Sequence, residues 1–426
     1  MDRSLSAFGE KLCAHSGILE LMDDLGNAMT THPQMRMMGG GNPAAIPEVQ
    51  ELWRSRLRDL LDNAPDTIDR MLLNYDPPQG NPEFLEAVAS CLSKAYGWKL
   101  SARNVAITSG GQTALFFLFN ILGGPAAQAG QSQGKILLPL VPEYIGYANQ
   151  GIAHEMFVAC PPVIEEIGDH DFKYHVDFDA VEAALKAHTV AAICVSRPTN
   201  PTGNVLTDGE IARLSVLAAD HGIPLIIDNA YGAPFPNVLF VETTPHWDDN
   251  TILTMSLSKL GLPGTRTGIV VASEQTIRQL ASLTAVTGLA NNNIGQRLVL
   301  PLVRSGEILS LSTSVIQPFY RKKSDTARQL VEEALGNDIP WKVHVREGAF
   351  FLWLWIPGLK CSSRELYERL KKRDVLVVPG EYFFFGLDKD RDTWPHRHEC
   401  LRITFSQPEN VVREGLQIIG DELRRL

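Results

Sequence analysis

The chain has 426 residues, 44% apolar and 21% charged, and a formal net charge of −10. That is the composition of a globular protein long enough for one large domain and a smaller one. Its 39 Lys and Arg are scattered and outnumbered by 49 acidic residues, which argues against nucleic acid or an anionic membrane as partner; no apolar run nears the ~18 residues of a membrane helix.

The N-terminal "MDRSLSAFGEKLCAHS" lacks the apolar core of a secretion signal, and six well-separated cysteines form no CxxC pair. Reduced thiols in a cytoplasmic protein are expected. Short β-branched runs then alternate with helical patterns. Strands are expected at 104–108, 135–140, 191–196, 223–228, 251–257 and 268–273. "GGPAAQAGQSQG" (123–134) reads as a flexible surface loop. "TDGEIARLSVLAAD" opens with a capping box, Thr207 to Glu210, and carries Ile211, Leu214 and Leu217 at helical spacing. Such apolar strands alternating with helices indicate an α/β fold with a mostly parallel sheet covered on both faces.

Near residue 320 the pattern changes. A long helix over 309–335, bent near Pro318, leads to a strand at 349–356, a helix at 362–373, and the strands "VLVVPG" and "LRITFS". This predicts a large domain over 51–318 and a smaller α+β domain made of 1–50 with 319–426.

In open α/β sheets ligands gather at the carboxyl ends of strands. "TMSLSKLGLPGTRTGI" (254–269) puts Lys259 at such an end, among Ser256, Ser258 and Arg266, all able to bond phosphate. A partly desolvated lysine is a good imine-forming amine. "ITSGGQTALFFLF" opens a helix at about Gly111, whose exposed N–H groups, with Gln112 beside them, suit an anion. "SRPTNPTGN" places Asn200 in a turn after a strand, and "PEYIGY" offers the Tyr144 ring. "LIIDNAYG" ends an apolar strand with Asp228, costly unless a cation meets it, and puts Tyr231 three residues on. One ligand suits them all: a phosphate, an aldehyde, a cationic ring nitrogen and a phenolic oxygen together make pyridoxal 5′-phosphate (PLP).

Asn-Pro-x-Gly (200–203), Asp228 with Tyr231, and Ser-x-Ser-Lys (256–259) with Arg266 resemble the class I/II aminotransferases of PLP fold type I, in order and in spacing. The resemblance spans essentially the whole chain. It implies that fold, with a mostly parallel seven-stranded sheet in the large domain. Lys259 would be the Schiff-base lysine and proton carrier, Asp228 the partner of the pyridine nitrogen, and Asn200 and Tyr231 the partners of O3′. Tyr144 would stack on the ring. Gly111, Gln112, Ser256, Ser258 and Arg266 would hold the phosphate, joined by Tyr75 of "NYDPPQG" from the neighbouring subunit of a homodimer. Arg402 would clamp the substrate α-carboxylate, with Gly41 and Asn200 also against substrate.

"HSGILELMDDLGNAM", "PEYIGYA", "FKYHVDF" and "EGAFFLWLW" are similar to the branch of the family that moves an amino group between valine and pyruvate. Amino-acid and 2-oxo-acid substrates of neutral, aliphatic character are therefore expected. Gly40 stands where many relatives carry a larger apolar residue. "GLANNNIGQR" (288–297) departs from the pattern around the second, side-chain-binding arginine of aspartate-type relatives, with Arg297 the nearest equivalent. Another PLP reaction, such as β-elimination or decarboxylation, leaves the same signature. A PLP-binding regulator would carry a basic DNA-binding domain ahead of the fold, whereas "GGGNP" begins by residue 39. His396, His398 and Cys400 alternate in a way that could ligate a metal, but no fourth ligand is evident and no metal is expected.

Overall fold

The computed structural model describes residues 4–32, 34–125 and 133–426. Most of the expected loop at 123–134 lies outside them. Two compact units emerge, one of Met1–Gly41, Leu122–Leu206 and Tyr320–Leu426, the other of Asn42–Ile121 and Thr207–Phe319.

The expected seven-stranded, mostly parallel sheet is present. The second unit carries four of its strands, in the order Val105–Thr108, Gly268–Val271, Thr251–Ser256, Leu225–Asp228. Gly268–Val271 runs antiparallel to both neighbours, while Leu225–Asp228 and Thr251–Ser256 run parallel. In the first unit Lys135–Leu138 lies between Val190–Ser196 and Phe157–Ala159, parallel to both. Every residue of Val105–Thr108, Leu225–Asp228 and Thr251–Ser256 is buried. Burial on both faces is why these runs read as continuous apolar stretches rather than as alternation.

The first unit also holds a six-stranded sheet, in the order Val378–Pro379, Cys400–Thr404, Phe351–Trp355, Lys342–His344, Asp171–His175, Val163–Ile167. Its last two strands form a hairpin that sequence patterning missed, because Val163–Ile167 is largely exposed and gives no apolar run. The hairpin pairs with Lys342–His344. Residues 122–206 fall in the same unit as the C-terminal part of the chain.

Helix ends follow their sequence signals. The Thr207 hydroxyl accepts from the Glu210 N–H at 3.1 Å, and the Glu210 carboxylate accepts from the Thr207 N–H at 2.8 Å, opening Asp208–Asp220. Ser362 caps Ser363–Lys371. The long helix is interrupted by a π turn at Ser312–Ile316 before Gln317–Leu335 begins. Pro318 lacks an N–H and its ring crowds the carbonyl of Ser314, which accounts for the local widening. Among the described residues no single helix is long and apolar enough to cross a membrane. The six cysteines form no disulfide.

Candidate active site

Nine of the expected site residues belong to the second unit. Strand register gathers the phosphate candidates: Gly268 pairs with Thr108 on one side and with Ser256 on the other. After Ser256 the chain turns into a 3-10 segment, Leu257–Leu260, which carries Lys259. Ser256 Oγ accepts from the Ser258 N–H at 3.1 Å and donates to Ser258 Oγ at 2.9 Å. The indole N–H of Trp53 donates to the Leu260 carbonyl at 2.9 Å, and Gly261 at φ +85° ends the turn. Lys259 Nζ is half-buried, 5.1 Å from the centre of the Tyr231 ring.

Asp228 is buried at the end of its strand, paired in register with Thr254. Its Oδ1 accepts from the Ala230 N–H and from the Thr254 hydroxyl, each at 3.1 Å. These bonds favour the ionised carboxylate and offset part of its desolvation. An anion so held suits a protonated ring nitrogen.

Arg266 has φ +46°, and its guanidinium lies against Gly110: a Cβ on Gly110 would come within 2.2 Å of Nη2. Gly110 precedes the helix Gly111–Leu122, where a Cβ on Gly111 would meet nothing within 4 Å. An arginine, a helix start with space above it and two serine hydroxyls form a donor set that fits a phosphate. Gln112 is exposed in the first turn of that helix, and Tyr75 is 83% exposed.

The other candidates lie in the first unit. Arg402, in Cys400–Thr404, is only 3% exposed. Its Nη1 donates to Asn200 Oδ1 at 2.7 Å and its Nη2 to the Gly39 carbonyl at 2.6 Å. The guanidinium also stacks over Phe351, 4.4 Å from the ring centre, and lies 5.4 Å from Phe383. Because arginine only donates, the oxygen end of the Asn200 amide must face it. The Nδ2 end is left as the donor, the polarity a phenolic oxygen requires. Gly39 supplies the carbonyl that meets Arg402, whereas Gly40 and Gly41 have open space where a Cβ would stand.

Tyr144 is placed by a residue that sequence reasoning passed over. The buried Glu143 carboxylate accepts from the Tyr144 N–H at 2.7 Å, from the Ser196 hydroxyl at 2.5 Å and from the Ser196 N–H at 3.0 Å. The Tyr144 ring packs on Gly146, where a Cβ would come within 2.3 Å of it. An acidic residue inside the apolar stretch "LLPLVPEYIGY" was the available signal. Thr254, which bonds Asp228, was also missed; a hydroxyl at a strand end reads simply as a β-former.

The His396 and Cys400 side chains meet, Nε2 to Sγ at 3.8 Å, while His398 turns away from them. His396 Nε2 meets the Tyr174 hydroxyl at 2.5 Å, His398 pairs with Glu381 at 3.0 Å, and the Cys400 thiol bonds the His396 carbonyl at 3.2 Å. Arg297 faces Glu83 at 3.4 Å and Asp76 at 3.9 Å, so its charge is already met within the chain.

Residues 50–419 match the family model described as aminotransferase class I and II. The chain belongs to that family. It is a PLP-dependent enzyme, with the fold type I architecture that the family shares. It is 43% identical, over 99% of its own length and 98% of the relative's, to valine–pyruvate aminotransferase from Escherichia coli (strain K12). Among solved structures it is similar to valine–pyruvate aminotransferase from Salmonella typhimurium LT2, with a TM-score of 0.85 and 42% identity over 96% of this chain and 98% of that one. It also shares its fold with Pyrococcus horikoshii kynurenine aminotransferase, solved with PMP, at a TM-score of 0.76 and 22% identity over 97% and 95% of the two chains.

Proposed function

We propose that this aminotransferase exchanges an amino group between L-valine and pyruvate, giving 3-methyl-2-oxobutanoate and L-alanine. Full-length identity of 43% to a valine–pyruvate aminotransferase supports this substrate pair. The observation that carries it on the chain itself is Arg297: with Asp76 and Glu83 already facing it, it offers no spare cation for an acidic substrate side chain.

PLP, when bound, supplies an electron sink for the substrate's α-carbon. Lys259 takes the proton from that carbon and returns one on the reverse half-reaction, as a half-buried amine can. Asp228 would hold its negative charge toward the ring nitrogen. Asn200, through Nδ2, and Tyr231, through its hydroxyl, would donate to the ring's phenolic oxygen, and Tyr144 would stack on the ring. Gly111, Gln112, Ser256, Ser258 and Arg266 would hold the phosphate. Arg402 binds the substrate carboxylate with parallel hydrogen bonds, and Gly41 borders the substrate through its backbone. The reading keeps 51–318 as the cofactor-binding domain, 1–50 with 319–426 as the smaller one, and a cytoplasmic setting with the cysteines as reduced thiols.

It also includes a homodimer in which Tyr75 reaches the phosphate of the other copy. Leu72, Leu73 and Tyr75 are strongly exposed in the single chain, a patch that a second copy would cover. Mixing inactive Tyr75 and Lys259 variants should then restore about a quarter of wild-type sites, since half the dimers are mixed and each regains one intact site. The substrate test is a screen of amino donors against pyruvate, following the cofactor's absorbance and alanine formation. Valine should rank among the best donors. Preference for aspartate, or release of ammonia or carbon dioxide in place of alanine, would overturn the reading.

A further inference from the structure

Two of the branch-like motifs, "FKYHVDF" and "EGAFFLWLW", contain residues that meet in the fold though far apart in sequence. Lys173, in Asp171–His175, pairs with Glu347 at 2.5 Å, and both side chains are at most 14% exposed. Burying such a pair costs solvation that only further hydrogen bonds can offset. Here those bonds all fall on one loop. Lys173 Nζ donates to Asn204 Oδ1 at 3.0 Å and to the Val205 carbonyl at 3.2 Å. Glu347 Oε2 accepts from the Val205 N–H at 2.9 Å. Asn204 Nδ2 in turn donates to the Tyr174 carbonyl at 3.2 Å.

This is the loop that presents Asn200. It closes on itself through Thr199 N–H to the Asn204 carbonyl and Gly203 N–H to the Thr199 carbonyl, each at 2.8 Å. Gly203 sits at φ +73°, and a Cβ there would fall 2.5 Å from the Gly348 carbonyl, next to Glu347. The loop is thus clamped at Asn204 and Val205 by the ion pair, and at Asn200 by Arg402.

We infer that Lys173 and Glu347 are positioning residues for the reaction: their ion pair fixes the loop so that Asn200 offers its oxygen to Arg402 and its Nδ2 to the cofactor. The inference rests on the proposed role of Asn200. Loss of Lys173 leaves Asn204 Oδ1, the Val205 carbonyl and Glu347 without their cation. The loop then relaxes, Arg402 loses its side-chain brace, and the donor to the phenolic oxygen drifts.

The test compares Lys173→Met, Glu347→Gln and Asn200→Ala in the holoenzyme. Glu347→Gln keeps an acceptor for Val205 and removes only the charge, so it covers the case in which Lys173→Met fails to fold. Two quantities are read: the pH at which the bound cofactor's visible absorbance titrates, and KM against kcat for the amino acid. A donor on the phenolic oxygen draws off the charge that helps the cofactor keep its proton, so losing it should raise that pH by about one unit. Asn200→Ala should show the full rise, and the two pair variants a smaller rise of the same sign. KM should increase about tenfold in the pair variants as Arg402 loosens. The effect of the Lys173→Met/Glu347→Gln double variant should fall short of the sum of the two. A rise in Asn200→Ala with none in folded pair variants overturns the positioning role alone. An unchanged titration in Asn200→Ala overturns the role of Asn200, and the inference with it.

Discussion

Asp228 and Lys259 take their places from the paired ends of adjacent parallel strands, whereas Arg402 is held by partners 202 and 363 positions away. In the second unit, Thr108, Gly268 and Ser256 align through backbone register, and short turns then present Lys259 and Arg266. In the first unit the buried polar groups are held by side chains: Arg402 on Asn200 and Phe351, Glu143 on Ser196, Lys173 on Glu347. A backbone-built site tolerates changes outside its own strand ends. A site of interlocking buried polar groups is sensitive to any member, since removing one strands the others.

The largest expected effect is in the second unit. Lys259→Ala should abolish turnover yet keep some PLP bound without a covalent link, because the proposed phosphate donors are groups other than its amine. Borohydride reduction and peptide mapping of the wild type should label Lys259; labelling at another lysine breaks the assignment. Asp228→Asn comes next, with a fall of about 10³-fold in the single-turnover rate and a retained fold, since the amide cannot stabilise a cationic ring in a dry site. Near-normal single-turnover kinetics would remove that role.

Arg402→Lys tests the other side and should act mainly on KM, raising it about tenfold to a hundredfold as the two-pronged contact is lost, with the cofactor's spectrum nearly unchanged. An equal loss in kcat with KM unmoved would erase the distinction between the two sides.

The smallest effect concerns acid. Burial depresses both His344 and His396 to about 3 from an ordinary 6.5. Below about pH 6.5 the unfolded chain takes up protons that the fold refuses, so this stability is complete at neutral pH and is lost as pH falls toward 3. By pH 5 each should cost about 2 kcal/mol. Urea midpoints at pH 7.5 and 5 measure the loss. Hydrogen exchange should quicken first at 342–404, around these histidines, and later at 225–271. The reverse order would contradict the assignment of this sensitivity to the first unit.

The strand-end motifs of the second unit were legible in the sequence by itself. Motifs such as "SLSK" and "LIIDNAYG" lie on single strand ends, so apolar run, break and polar residue appear together in a few positions. The mostly parallel sheet was legible for the same reason. Tertiary structure alone decided that the hairpin at 163–175 joins Lys342–His344, that the Gly39 carbonyl meets Arg402, and that Glu143, Lys173 and Glu347 brace the polar turns. Local periodicity records which face of a strand is buried, but not which distant polar group a buried charge will find. That choice rests on desolvation and hydrogen bonding between segments that the linear sequence keeps apart.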